Sequence, residues 1–156
     1  MVPGFYNVTE IDCGAYHSLI LTEYQDQQAL FSSGYNTYGQ LGLGNNTQNI
    51  SSVYTFTQIN LPFSEKILMV SGGNYFSLLL TSKNQVWSFG NNIFEQLGLD
   101  AFQNYFEMER IQSLEGIIEI DAGMTFSLFL TNTSQVYSVG YNGVLFFIKK
   151  SKVSWD

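Results

Sequence analysis

Chemically versatile residues are scarce in this chain. Its 156 residues include one cysteine, Cys13, and one histidine, His17. A lone cysteine excludes an internal disulfide and argues against a metal cluster. A lone histidine leaves any general-base scheme dependent on that single ring. Proline occurs only twice, so turns must rely on glycine and asparagine. No apolar run approaches the length of a membrane-spanning helix. The opening residues, MVPGFYNVTE, have neither a basic flank nor an apolar stretch, so no secretory leader is read there. Without a leader, the sequons at Asn7, Asn45, Asn49 and Asn132 carry little weight. The expectation is a cytoplasmic or nuclear chain.

Positive charge is equally sparse. Up to Gly140 the only basic residues are Lys66, Lys83 and Arg110, against twelve acidic ones. The remaining three lysines lie at 149, 150 and 152, and the whole chain carries −7. A body this acidic repels phosphate backbones, so direct nucleic-acid binding is not expected.

Apolar side chains are plentiful, at 45%, and aromatics reach 16%. That is enough to bury a core, and the length suits one domain. The thirteen Phe and ten Tyr favour strands over helices.

Internal repetition dominates the pattern. CGAYHSLILT from Cys13 returns as GGNYFSLLLT from Gly72 and AGMTFSLFLT from Ala122. A second segment follows each: ALFSSGYNTYGQLGLG from Ala29, QVWSFGNNIFEQLGLD from Gln85 and QVYSVGYNG from Gln135. Before each copy stands a short aliphatic run: VTEI from Val8, ILMV from Ile67 and IIEI from Ile117. Within the first segment the residues alternate strictly. Phe76, Leu78 and Leu80 share one face, and Ser77, Leu79 and Thr81 the other. Period two across three copies specifies strands. Polar turns such as TSKNQ from Thr81 close a hairpin into the next strand. In the first copy this link is longer, through EYQDQQ, and reads as a surface insertion. A fourth strand is expected at FTQIN from Phe56 and at MERIQSL from Met108. Three or four short strands per unit of about 50 residues match the arithmetic of propeller blades. The expected fold is all-β: a partial propeller of about three four-stranded antiparallel blades.

The first copy carries Gly14, His17, Ser18, Leu19, Leu21 and Thr22, then Gly34, Asn36, Gly39, Gln40, Leu41, Gly42, Leu43 and Gly44. The second keeps Gly73, Ser77, Gly90, Asn92, Gln96, Leu97 and Gly98, and the third Gly123, Ser127, Gly140 and Asn142. This pattern resembles the regulator-of-chromosome-condensation repeat over residues 8–143. The resemblance implies a bladed propeller, usually of seven blades. Its members include exchange factors for small GTPases, chromatin-associated proteins and modules attached to ubiquitin ligases or kinases. The expected division is a repeat domain at 1–143, with repeats near 1–52, 53–104 and 105–143, followed by a divergent tail at 144–156. After Gly143 the motif stops and the chain reads VLFFIKKSKVSWD. A part of a larger propeller and a truncated gene product are both compatible with that.

No catalytic, cofactor or metal residue is assigned. His17 aligns with Phe76 and Phe126, which have no acid–base chemistry, so it is read as a packed ring bonded to backbone. The glycines of GQLGLG lack the Lys-Ser/Thr of a phosphate loop and are read as turn residues. Gln40 and Gln96 are read as satisfying backbone in neighbouring loops. Phe31, Trp87 and Tyr137, one position in three copies, are read as packing between blades. Asp12 and Asp121 are read as capping turns. The expected function is a non-catalytic protein-interaction module, alternatively a guanine-nucleotide exchange factor for a small GTPase. Candidate contact segments are Glu23–Gln28, Asn45–Val53 and Asp100–Glu107. Open blade faces predict self-association.

Overall fold

The computed structural model describes residues 5–141, leaving Asn142 and the tail at 144–156 outside the described residues. The first four strands are β1 (Val8–Cys13), β2 (His17–Tyr24), β3 (Gln27–Tyr35) and β4 (Ser52–Gln58). The next four are β5 (Ile67–Gly72), β6 (Phe76–Thr81), β7 (Val86–Gly90) and β8 (Tyr105–Arg110). The last described are β9 (Ile117–Ala122), β10 (Phe126–Thr131) and β11 (Val136–Gly140). They form three antiparallel meanders, β1-β2-β3-β4, β5-β6-β7-β8 and β9-β10-β11. The repeats therefore fold as separate blades. The third has three strands among the described residues. Both fourth strands begin earlier than the aliphatic pattern suggests, at Ser52 and Tyr105, and pair with the strand that precedes them.

Alternation becomes two-sided burial once the blades stack. Leu19, Leu21 and Leu30 of the first blade meet Ile67, Val70, Leu79 and Phe89 of the second. The opposite face of the second blade, with Phe76, Leu78, Leu80 and Val86, meets Ile117, Ile120 and Phe129 of the third. Every residue of β6 is consequently buried, while β10, with the same motif, is buried only at alternate positions. Burying a Leu or Phe side chain contributes roughly 1.5–3 kcal/mol, so these two seams dominate the fold's stability.

The innermost strands β1, β5 and β9 lie side by side. In each, the register slips by one residue near its start, at Thr9, Leu68 and Ile118. Such a bulge turns the extra side chain outward, which explains why the aliphatic Leu68 and Ile118 are exposed. The expected insertion after β2 is instead a lengthening of the β2–β3 hairpin. Its turn is Gln25 and Asp26, both with positive φ, as a tight two-residue hairpin requires.

Candidate functional site

Most motif residues are used at the seams. His17 Nε2 bonds the side-chain oxygen of Ser77 in the next blade at 2.8 Å, rather than a backbone group. Ser77 Oγ in turn donates to the Gln40 carbonyl at 3.0 Å. One seam along, Ser127 Oγ donates to the Gln96 carbonyl at 2.6 Å. The repeated Ser and Gln thus join consecutive blades through a serine hydroxyl and a main-chain oxygen. The glutamine side chains act inside their own loops: Gln40 Oε1 accepts from the Tyr38 N–H, and Gln96 Oε1 from the Phe94 N–H. Asn36 and Asn92 tie the same loops, their Oδ1 atoms accepting from the Leu41 and Leu97 N–H groups.

Burial, opposed by the nearby Asp12 charge, lowers the His17 pKa from 6.5 to about 4. The ring is neutral at pH 7. It packs against Gly14 as Phe76 packs against Gly73 and Phe126 against Gly123. A side chain in place of these glycines would overlap the ring, which is why the motif keeps glycine three residues before the His or Phe.

Asp12 does not cap a turn. Its Oδ2 accepts from the Gly72 N–H in the next blade at 2.6 Å, and Glu10 Oε1 accepts from the Val70 N–H at 3.1 Å. At the position of Asp12 in the second blade, Ser71 Oγ accepts from the Ala122 N–H at 3.0 Å. Inner strands are therefore linked by side-chain acceptors reaching the neighbour's free backbone donors. The hairpin at 23–28 also works at the first seam. Gln28 exchanges two bonds with the backbone of Ile67, and Lys66 pairs with Glu23 and Asp26. Trp87 and Tyr137 pack at the two seams, whereas Phe31 lies with Phe5 and Phe56 on the first blade's outer face.

Because successive strands run antiparallel, the β1–β2, β3–β4, β5–β6, β7–β8 and β9–β10 loops emerge at one end. That end is aromatic. Tyr16 and Tyr75, from equivalent loops of adjacent blades, stack with centroids 5.2 Å apart and planes 5° from parallel. Tyr38 and Tyr35 lean on Tyr75 at 4.8 and 6.0 Å. Loss of water and then a hydrogen bond to Tyr16 raise the Tyr75 pKa, so its phenol is uncharged at neutral pH. Tyr16 keeps 58% of its surface exposed. Farther along the same end, Phe94 meets Tyr141 at 5.1 Å, and Ile93, Phe102 and Met124 stand open to solvent. The loops at 45–53 and 100–107 emerge here, while the hairpin at 23–28 lies at the opposite end. The tyrosine cluster was not apparent from the repeat pattern, because Tyr35 and Tyr38 have no tyrosine equivalents at Asn91 and Phe94. A signal was nevertheless present: Tyr16, Tyr35, Tyr38 and Tyr75 all lie within four residues after a repeat glycine, Gly14, Gly34 or Gly73.

No group of three or more His, Cys, Asp or Glu side chains suited to a metal occurs among the described residues. None of the described helices is long and apolar enough to cross a membrane.

Repeated antiparallel blades joined at their inner strands define a β-propeller protein. Models of the regulator of chromosome condensation (RCC1) repeat match residues 28–80, and, for a second such model, residues 8–40 and 70–96. The chain belongs to this repeat family. It is 38% identical to human "Probable E3 ubiquitin-protein ligase HERC6" over 69% of its own length but only 10% of the ligase's. To the human "RCC1-like G exchanging factor-like protein" it is 36% identical, over 64% of this chain and 21% of that one. The crystal structure of Prp20p from Saccharomyces cerevisiae superimposes with a TM-score of 0.80 at 21% identity, covering 88% of this chain and 34% of that one. The chain thus spans about a twentieth to a fifth of the curated relatives compared.

Proposed function

We propose that the chain is a non-catalytic protein-interaction module whose contact surface is the aromatic end. The observation that carries this reading is the Tyr16–Tyr75 stack with Tyr35 and Tyr38 beside it. Rigid aromatic rings on loops held by a sheet scaffold are efficient binding anchors, since little side-chain freedom is lost on contact. The exposed Tyr16 face is suited to a guanidinium, and the acidic body favours approach of a basic partner surface. The repeat domain in this proposal is 1–143, with 144–156 outside it. The motif residues from Gly14 to Asn142 serve as the scaffold rather than as contacts.

The names of similar proteins support a second reading. The Prp20p structure is described with its binding to Gsp1p and histones, and one human relative is named a "G exchanging factor-like protein". Exchange activity toward a small GTPase is therefore the competing proposal.

Release of fluorescent GDP from a panel of small GTPases, measured alongside equilibrium binding, separates the two. The module reading expects saturable binding without faster release, weakened by about tenfold when Tyr16→Ala and Tyr38→Ala are combined. Accelerated release would establish exchange instead. Binding indifferent to both substitutions would remove the aromatic end from the argument.

A further inference from the structure

At the end opposite the tyrosines, the second blade carries two donors that its own surroundings leave unmet. Trp87 on β7 and Arg110 on β8 are cross-strand partners. The indole Nε1 and the guanidinium Nε are both buried and have no hydrogen-bond partner among the described residues. Buried indole and guanidinium N–H groups nearly always find an acceptor, so two orphans side by side point to one supplied from outside the chain. Charge is unmet as well. Lys66 pairs with Glu23 and Asp26, and Lys83 with Glu65, whereas Arg110 has no ion pair among the described residues.

Both side chains line an open groove of about 740 Å³ between the β4–β5 linker and the second blade. Part of its lining is apolar: Phe63 packs on Trp87 with ring centroids 4.8 Å apart, and Leu61 and Pro62 continue that surface. Leu61 and Pro62 also border an adjoining hollow of about 270 Å³, where Glu107 and Met108 stand. The walls belong to a four-stranded blade and the linker before it, all within the described residues. The fold does not require this pairing. In the first blade Phe31 and Gln58 pair in the same register, without a charge or an indole donor. The linker into the third blade reads QSLEG after Ile111, where NLPFSEK follows Ile59.

We propose that this groove binds an extended peptide in which one acidic side chain is flanked by apolar ones. The carboxylate pairs with Arg110 and accepts from the Trp87 indole, and its neighbours lie on Phe63, Pro62 and Leu61. An uncompensated guanidinium beside a second unmet donor selects an anionic acceptor, which can satisfy both. Glu65 does not compete, being held by Lys83. Glu107 in the adjoining hollow disfavours a second acid there, and the chain's charge of −7 disfavours a doubly charged phosphate. Trp87 and Arg110 each remain partly exposed, so a small side-chain rotation brings either donor to the ligand. An open, elongated groove suits an extended peptide better than a small molecule, which needs enclosure. The site is separate from the aromatic end and does not rest on the reading given to it.

Two-dimensional NMR of the isotope-labelled chain follows the Trp87 indole N–H resonance, identified by its loss in Trp87→Phe. The probe is the acetylated and amidated peptide Ser-Leu-Glu-Leu-Ser, with Ser-Leu-Gln-Leu-Ser as its uncharged control. The acidic peptide is expected to shift the resonance saturably and to bind about tenfold more tightly than the control, as a charge-assisted bond implies. Arg110→Gln places glutamine where the first blade already has Gln58, so it should keep the fold and bind both peptides alike. Tyr16→Ala combined with Tyr38→Ala should leave the titration unchanged, which separates failure here from failure at the aromatic end. A resonance that stays put up to the peptide's solubility limit would overturn the proposal and leave the two donors to water. So would equal affinity for both peptides, a preference for the acid that survives Arg110→Gln, or a titration weakened by the tyrosine substitutions.

Discussion

Replacing His17 with Phe should remove a specific slope from the pH dependence of stability. The ring lies in the first seam and titrates near 4 when folded, against 6.5 when free, chiefly because burial disfavours its charged form. As pH falls through 6.5 the unfolded chain takes up a proton that the native chain refuses until about 4. Over that window the unfolded state binds more protons, so stability falls with falling pH and the loss is complete below about 4. At about 1.4 kcal/mol per unit, the differential amounts to roughly 3 kcal/mol. The phenyl ring of His17→Phe has no such titration, and Phe76 and Phe126 already occupy the equivalent site beside Gly73 and Gly123. Glu10, whose pKa is raised by burial, works in the opposite sense but is common to both proteins and cancels in the difference. Urea unfolding followed by the fluorescence of Trp87, from about pH 7 to pH 4, gives both stability curves. The wild type should lose about 3 kcal/mol more than the variant across that range. Parallel curves would refute the reasoning.

Two further substitutions test the seams and turns. Gly90→Ala should destabilise by more than about 2 kcal/mol in chemical denaturation, since φ is +109° and a Cβ would lie 2.5 Å from the Tyr75 carbonyl oxygen. Ser127→Ala removes the 2.6 Å bond to the Gln96 carbonyl and leaves that oxygen buried, which should cost about 1–3 kcal/mol by the same assay.

Glu95 and Gly39 fill the same turn position with different residues. Glu95 adopts φ of 60° where Gly39 has 85°. A Cβ at Gly39 would lie 2.6 Å from the Tyr105 carbonyl oxygen in the next blade's fourth strand. Glu95 holds the same left-handed backbone, which costs an L-residue roughly 1–2 kcal/mol.

The blades were legible in the chain because alternation and turn chemistry are local. Phe76 to Thr81 reads as a strand from six consecutive residues, and the same six-residue pattern recurs at His17 and Phe126. The loop bonds of Asn36 and Asn92 also lie within their own repeat. The Gln40 and Gln96 side chains were read toward neighbouring loops, but each closes its own turn, two residues from its donor.

What a residue meets across a seam is a different kind of fact. Asp12 and Gly72 are sixty residues apart, as are His17 and Ser77, and neither pair is marked by any local signal. The sequence by itself determined the strands, their grouping into blades and the two-faced character of each. Only the tertiary structure decided which face meets which neighbour, since packing selects a partner by shape and unmet hydrogen bonds rather than by distance along the chain. The same holds for the tyrosines, which become one surface only when Tyr16 and Tyr75 are brought together from adjacent blades.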